Sequence, residues 1–195
     1  MTPEPLTAAS EEIARGRWPQ TDNPLFRLLL RRWAAWRGGA PVPRRSAVTP
    51  AEIVPCLPQL WIFRLVDNNT GLVCALAGER LNEDWGFSIR GKTPVDLWGA
   101  ELGGLVTGRL LRVALTPGIA IGRSGVTPRP DPVGPLYAER LMLPLCDDAG
   151  APYGAMGLTV FHRHQLIDGP QVVPMSAKAW MHPCADLPDE PPPQD

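Results

Sequence analysis

Proline and glycine set the scale of this fold: 24 Pro and 19 Gly are spread through 195 residues. Proline fixes φ and removes a backbone donor, and glycine weakens the interiors of helices and strands. Many short elements joined by turns are therefore expected, not a few long helices. The hydrophobic share of 44% is near that of globular proteins, and the length suits one domain at roughly 100–200 residues each. A net charge of −1 and a pI near 6.3 argue against nucleic acid as a partner, which usually needs a clearly basic domain.

Met1 to Glu12 carries acidic residues and proline where a signal peptide would carry an apolar stretch, so none is expected. No apolar run approaches the ~18–20 residues of a membrane span. Cys56, Cys74, Cys146 and Cys184 show no CxxC pair. They read as reduced thiols of a cytoplasmic protein, not as a disulfide framework.

Residues 1–22 show no sustained periodicity and are expected to form a flexible arm. The clearest helix follows over 23–38. Asn23 can cap it, Pro24 suits its first position, and Gly38-Gly39 stops it. Leu25, Leu28, Leu29, Trp33 and Trp36 recur at spacings of three and four and make one apolar stripe, with Arg27, Arg31 and Arg37 mainly off it. Thr49-Pro50-Ala51-Glu52 has the form of a capping box. Leu60–Val66 and Leu72–Ala77 read as strands hairpinned across Asp67-Asn68-Asn69-Thr70-Gly71. Short helical pieces are expected around Leu81 and Trp85, and a longer helix over Ala100–Leu115. Ile119–Val126, Tyr137–Leu145 and Ala151–Phe161 read as three further strands, the first two separated by a Pro-rich loop at 127–135.

Strands in runs with helices between them favour an α+β fold with an antiparallel sheet. The domain is expected over 23–164. A Pro-rich acidic tail, 165–195, is expected to be extended or disordered.

This order resembles the PAS domain, and the sequence is similar to one family of short, stand-alone bacterial PAS proteins. The likeness runs from Leu25 to His162. It rests on Pro43-Arg44-Arg45-Ser46, on Pro50, Ile53, Pro55, Leu57-Pro58 and Leu60, and on Leu76-Ala77-Gly78 with Leu81. Gly86, Gly91 and Pro144-Leu145 extend it. The resemblance implies a five-stranded antiparallel sheet covered on one face by helices, with an extra N-terminal helix. It also implies a non-enzymatic sensory or regulatory module acting through protein–protein interaction, as a homodimer or with a partner signalling protein. A small-molecule ligand in the domain cavity is part of that expectation. Arg80, Trp85, Trp98 and Tyr137 are then the expected lining, because apolar walls with a few polar groups are usual for such sites; the alternative is that both tryptophans only fill the core. Leu25, Leu29, Trp33 and Trp36 are the expected interface, with the tryptophans as rigid anchors; packing of the same stripe on the chain's own sheet is the alternative.

Other chemistry reads less well. His162, His164, His182 and Cys184 offer zinc donors, but their spacing matches no standard pattern, and no metal is assigned. No His precedes residue 162, which disfavours haem. Cys74 is a conceivable flavin partner but falls outside the helix where light-sensing relatives keep theirs, so no cofactor is assigned. Gly122-Arg123-Ser124-Gly125 lacks the strand-to-helix setting of a nucleophile elbow. Glu79, Glu83 and Asp84 suit a solvated helix face as well as acid–base work. A small hydrolase or transferase is the second reading. A membrane-surface adaptor through helix 25–37 is the third.

Overall fold

A computed structural model describes residues 11–124, 136–163 and 179–188. Its helices are α1 (Pro24–Arg37), α2 (Glu79–Trp85) and α3 (Pro94–Leu115). Its strands are β1 (Glu11–Ile13), β2 (Leu60–Val66), β3 (Gly71–Ala77), β4 (Gly118–Ser124), β5 (Leu136–Cys146), β6 (Pro152–Arg163) and β7 (Ala179–Pro183). They form one sheet in the order β1-β7-β4-β5-β6-β2-β3. Every pair is antiparallel except β1 with β7.

Local chemistry sets most boundaries. Asn23 accepts the Leu25 N–H at the start of α1, Pro24 follows it, and Gly38 ends the helix. The β2–β3 hairpin turns through Asp67, Asn68 and Asn69, all at positive φ, a conformation Asx side chains tolerate. Thr93 and Asp96 close a reciprocal capping box on α3. The box expected at Thr49 does not form. The Thr49 hydroxyl donates to Ala47 O instead, and Glu52 accepts the Trp36 indole N–H at 3.1 Å.

Both faces of the sheet are buried. Leu60, Ile62, Leu141, Leu143, Met156 and Leu158 pack with Phe26, Leu29, Leu30 and Trp33 of α1. The alternate positions Trp61, Phe63, Met142 and Ala155 pack with Leu81 and Trp85 of α2 and with Leu110 and Val113 of α3. The five central strands and the helical cover agree with expectation. The N-terminal helix covers the face opposite α2 and α3.

Two expectations need correction. The arm and the tail each supply a strand, β1 and β7, which widen the sheet beyond β4. Met181, His182, Cys184 and Leu187 are buried there, so apolar burial outweighs the local richness in proline. The apolar stripe of α1 is also occupied within the chain. Leu29 and Trp33 are fully buried against the sheet, and Leu25 and Trp36 are partly buried on the same core. That removes Leu29 and Trp33 from any intermolecular interface, and it leaves α1 no free apolar stripe to lay on a membrane. No helix among the described residues is long and apolar enough to cross a membrane. The Pro-rich loop at 127–135 lies outside the described residues.

Candidate functional site

The layer between the sheet and α2–α3 is where side chains of mixed chemistry meet. Its floor is the row of alternate strand positions. Trp61 and Phe63 of β2 meet edge to face, 5.6 Å apart. Met142 and Ala155 lie in the same cluster. The Trp61 indole N–H donates to the Thr159 hydroxyl at 3.0 Å, and both residues are buried. Arg140 sits between Gly122 and Thr159 in the cross-strand row. It has the same parity in β5 as Met142, and therefore faces α3.

The roof depends on a break in α3. Gly99 has φ 75° and ψ 176°, a backbone state open essentially to glycine alone. It detaches the turn Pro94–Trp98 from the helix proper. Gly103 lets that turn fold back, since a Cβ there would lie 2.6 Å from Pro94 O. Trp98 is thereby laid against Trp85, with ring centroids 5.3 Å apart and planes at 78°. Trp85 also meets Phe87 edge to face at 5.8 Å. The Trp98 indole N–H is buried with no partner among the described residues. A buried unpaired donor of this kind costs about 1–3 kcal/mol.

The expected lining residues divide. Trp85 and Trp98 are in this layer and touch each other. Arg80 is not: it is exposed on α2 and pairs with Glu83 at 3.5 Å and Asp84 at 3.6 Å. Its position one residue before Leu81 turns it to solvent, because Leu81 takes the buried phase of the helix. Tyr137 falls in β5, but its side chain lies outside the described residues. Arg140, Thr159 and Trp61, which lie on this face of the sheet, were not singled out from the sequence. The visible signal was Arg140 itself, the one charged residue in the row Ala138, Arg140, Met142.

On the other face, Glu139 gathers three partners from three elements. It accepts from Asn23 at 3.1 Å and from Arg123 at 2.8 Å, and its carboxylate lies 3.1 Å from His162 Nε2. Burial raises the Glu139 pKa, but the Asn23 and Arg123 hydrogen bonds and the charges of Arg123 and His162 outweigh it and hold the carboxyl below the ordinary range. A depressed folded-state pKa gives stability that is present above the unfolded value, about 4.3, and is lost as pH falls through the lowered value. Glu139→Gln should therefore be less stable than the native chain at pH 6. Its melting temperature should fall less steeply between pH 6 and pH 3, measured by circular dichroism. Parallel acid limbs in the two proteins would refute this role.

The histidine and cysteine donors are not assembled. His162 is on β6 and His182 on β7, three strand spacings apart in the sheet, or roughly 14 Å. His182 Nδ1 lies 2.9 Å from Arg17 O, and burial lowers its pKa despite that contact. His164 lies outside the described residues, and no group of three metal donors occurs among those described. Burial pushes the thiols of Cys56 and Cys74 up to about 11 and that of Cys184 up to about 12, which leaves little thiolate for nucleophilic attack.

Comparison with known families gives a match of the PAS-domain model to residues 22–160. No curated protein and no solved structure matches the chain.

Proposed function

Because the chain belongs to the PAS-domain family, we propose that it is a non-enzymatic sensory or regulatory module that works through contact with another protein. That protein is a signalling partner or a second copy of the chain. A small molecule is held between the sheet and α2–α3. The observation that carries the reading is the layer itself: aromatic walls from Trp61, Phe63, Trp85 and Trp98 and aliphatic ones from Leu81 and Leu110, with Arg140 and Thr159 on the same sheet face. Ligand sites commonly have this makeup. The raised thiol pKa values and the engaged His182 ring support a binding role over nucleophilic chemistry.

The sheet gives the signal a route. Each strand presents alternate residues to the two layers, so a shift of Trp61 or Met142 under α3 is felt by Ile62 or Leu141 under α1. Native and denaturing mass spectra of the protein from its natural host test the reading. A molecule retained under native conditions and released on denaturation is the expected result. A bare monomer in both spectra would overturn the bound small molecule and the second copy, and leave a separate signalling protein as the partner.

A further inference from the structure

We propose that the solvent face of α3 binds the same face of a second copy of this chain, the two helices running antiparallel, with Leu105 of each copy seated on Gly108 of the other. This rests on the reading that the module works through contact with another protein. It chooses the second copy as that protein and assigns the surface.

Leu110, Val113 and Ala114 form the buried side of α3, which leaves the opposite side to solvent. Glu101, Leu105, Gly108 and Arg112 stand there at spacings of four, three and four, so they share one face. All four are exposed. Leu105 keeps 46% of its surface in water, although burying an apolar side chain is favourable. Gly108 answers no need of the protomer. A Cβ there would meet nothing within 4 Å, and its φ is not positive. Glycine is a poor helix former, so the isolated chain gives no reason for it. Against a neighbouring helix it is a notch, because the side chains at a crossing set how near two axes come and glycine lets another backbone approach.

The face is complementary to itself. A twofold axis midway between Val106 and Thr107 sets Leu105 against Gly108 of the second copy. The same register sets Glu101 against Arg112 of the second copy, and symmetry repeats each contact. Glu101 has no ion-pair partner among the described residues. Arg112 makes a contact within its own chain, but a guanidinium has five N–H donors and one contact does not exhaust them. A parallel arrangement would place Glu101 against its own counterpart, and like charges repel. A partner of one charge would match one end of the face and be repelled at the other, whereas the antiparallel copy matches both.

Sedimentation velocity of the full chain over about 1–100 μM protein reads the equilibrium, and a reversible monomer–dimer equilibrium is expected. Gly108→Leu fills the notch and should weaken the dimer at least tenfold. Leucine is the better helix former and meets nothing in its own chain, so the protomer should keep its far-ultraviolet circular dichroism. Should Gly108→Leu lose its fold, Leu105→Ser decides: it shortens an exposed side chain and should weaken the dimer likewise. Glu101→Arg puts an arginine against Arg112 of the second copy. It should weaken the dimer severalfold at low salt and less at high salt. A dimer unchanged by Gly108→Leu or Leu105→Ser would overturn this face while leaving a second copy bound elsewhere. One unchanged by Glu101→Arg would overturn the antiparallel register. A chain that stays monomeric throughout would overturn the proposal together with the second copy in the broader reading, and leave a separate signalling protein as the partner.

Discussion

Trp33→Ala should lower stability by about 3–5 kcal/mol, the usual range for removing a fully buried Trp or Phe. Trp33 has no exposed surface, and its indole N–H donates to Pro144 O at 2.9 Å. It meets Trp18 edge to face with centroids 6.3 Å apart. Truncation leaves a cavity beneath α1 and strips the Pro144 carbonyl of its donor. Single domains have about 5–15 kcal/mol in all, so a large part of the total is at stake. At 2–4 °C per kcal/mol for a chain of this size, the melt should fall by roughly 6–20 °C. Trp36→Ala should change it by less than a few degrees, because Trp36 is only partly buried and bonds Glu52 at the surface. The pair separates two roles for the stripe. An intermolecular anchor at Trp33 would turn a dimer into an equally stable monomer. Here Trp33→Ala should destabilise the protomer itself, visible in thermal and urea melts. A melt within two degrees of the native chain would refute the packing role.

The stripe also shows where sequence information stops. Asn23, Pro24 and Gly38 mark the ends of α1, and the spacing of Leu29 and Trp33 marks its buried face. An amphipathic helix states that it needs an apolar partner, not which one. The sheet supplies that partner through Ile62, Leu141 and Leu143, contributed by strands remote in sequence. The β2–β3 hairpin was legible because its turn chemistry is local. β7 was not: it pairs with β4 across a long separation, and its short run between prolines carries no signal without that neighbour. The same limit applies to the site. The sequence shows Ala138, Arg140 and Met142 alternating with Glu139, Leu141 and Leu143. It does not show which row faces α3, because both rows contain apolar residues and both faces of the sheet are covered. Trp85 and Trp98 could be placed against the sheet because bulky aromatics near short helices seek a core. Arg80 was misplaced because the phase of a two-turn helix depends on where that helix docks.

Gly78→Ala should be costly for the addition of a single methyl group. Replacing glycine by alanine ordinarily stabilises by about 0.4–1 kcal/mol where the backbone allows it. Here φ is −71°, which alanine adopts freely, so the backbone conformation is no obstacle. The obstacle is contact. A Cβ on Gly78 would overlap the carbonyl oxygens of Leu57 and Pro58, which belong to the 3-10 helix Val54–Gln59. These are backbone atoms and cannot rotate aside. The Gly78 N–H also donates to Leu60 O at 2.8 Å, which fixes the approach from the other side. Two sequence features separated by twenty residues, Leu57-Pro58 and Leu76-Ala77-Gly78, thus meet at one point. Overpacking of this kind costs about 1–3 kcal/mol, so collision outweighs the entropic gain. Gly104→Ala is the matched control. It lies in α3 with nothing within 4 Å of an added Cβ, and alanine there should raise stability by the ordinary 0.4–1 kcal/mol. Opposite signs from the same substitution isolate the steric term. Because Gly78 immediately precedes α2, relief of the collision must move α2, and Trp85 with it. Near-ultraviolet circular dichroism, to which the Trp85–Trp98 pair contributes, should weaken in Gly78→Ala and persist in Gly104→Ala. A Gly78→Ala protein that melts as high as the native chain with an unchanged aromatic spectrum would show that the 3-10 helix can retreat, and that α2 is not held by this contact.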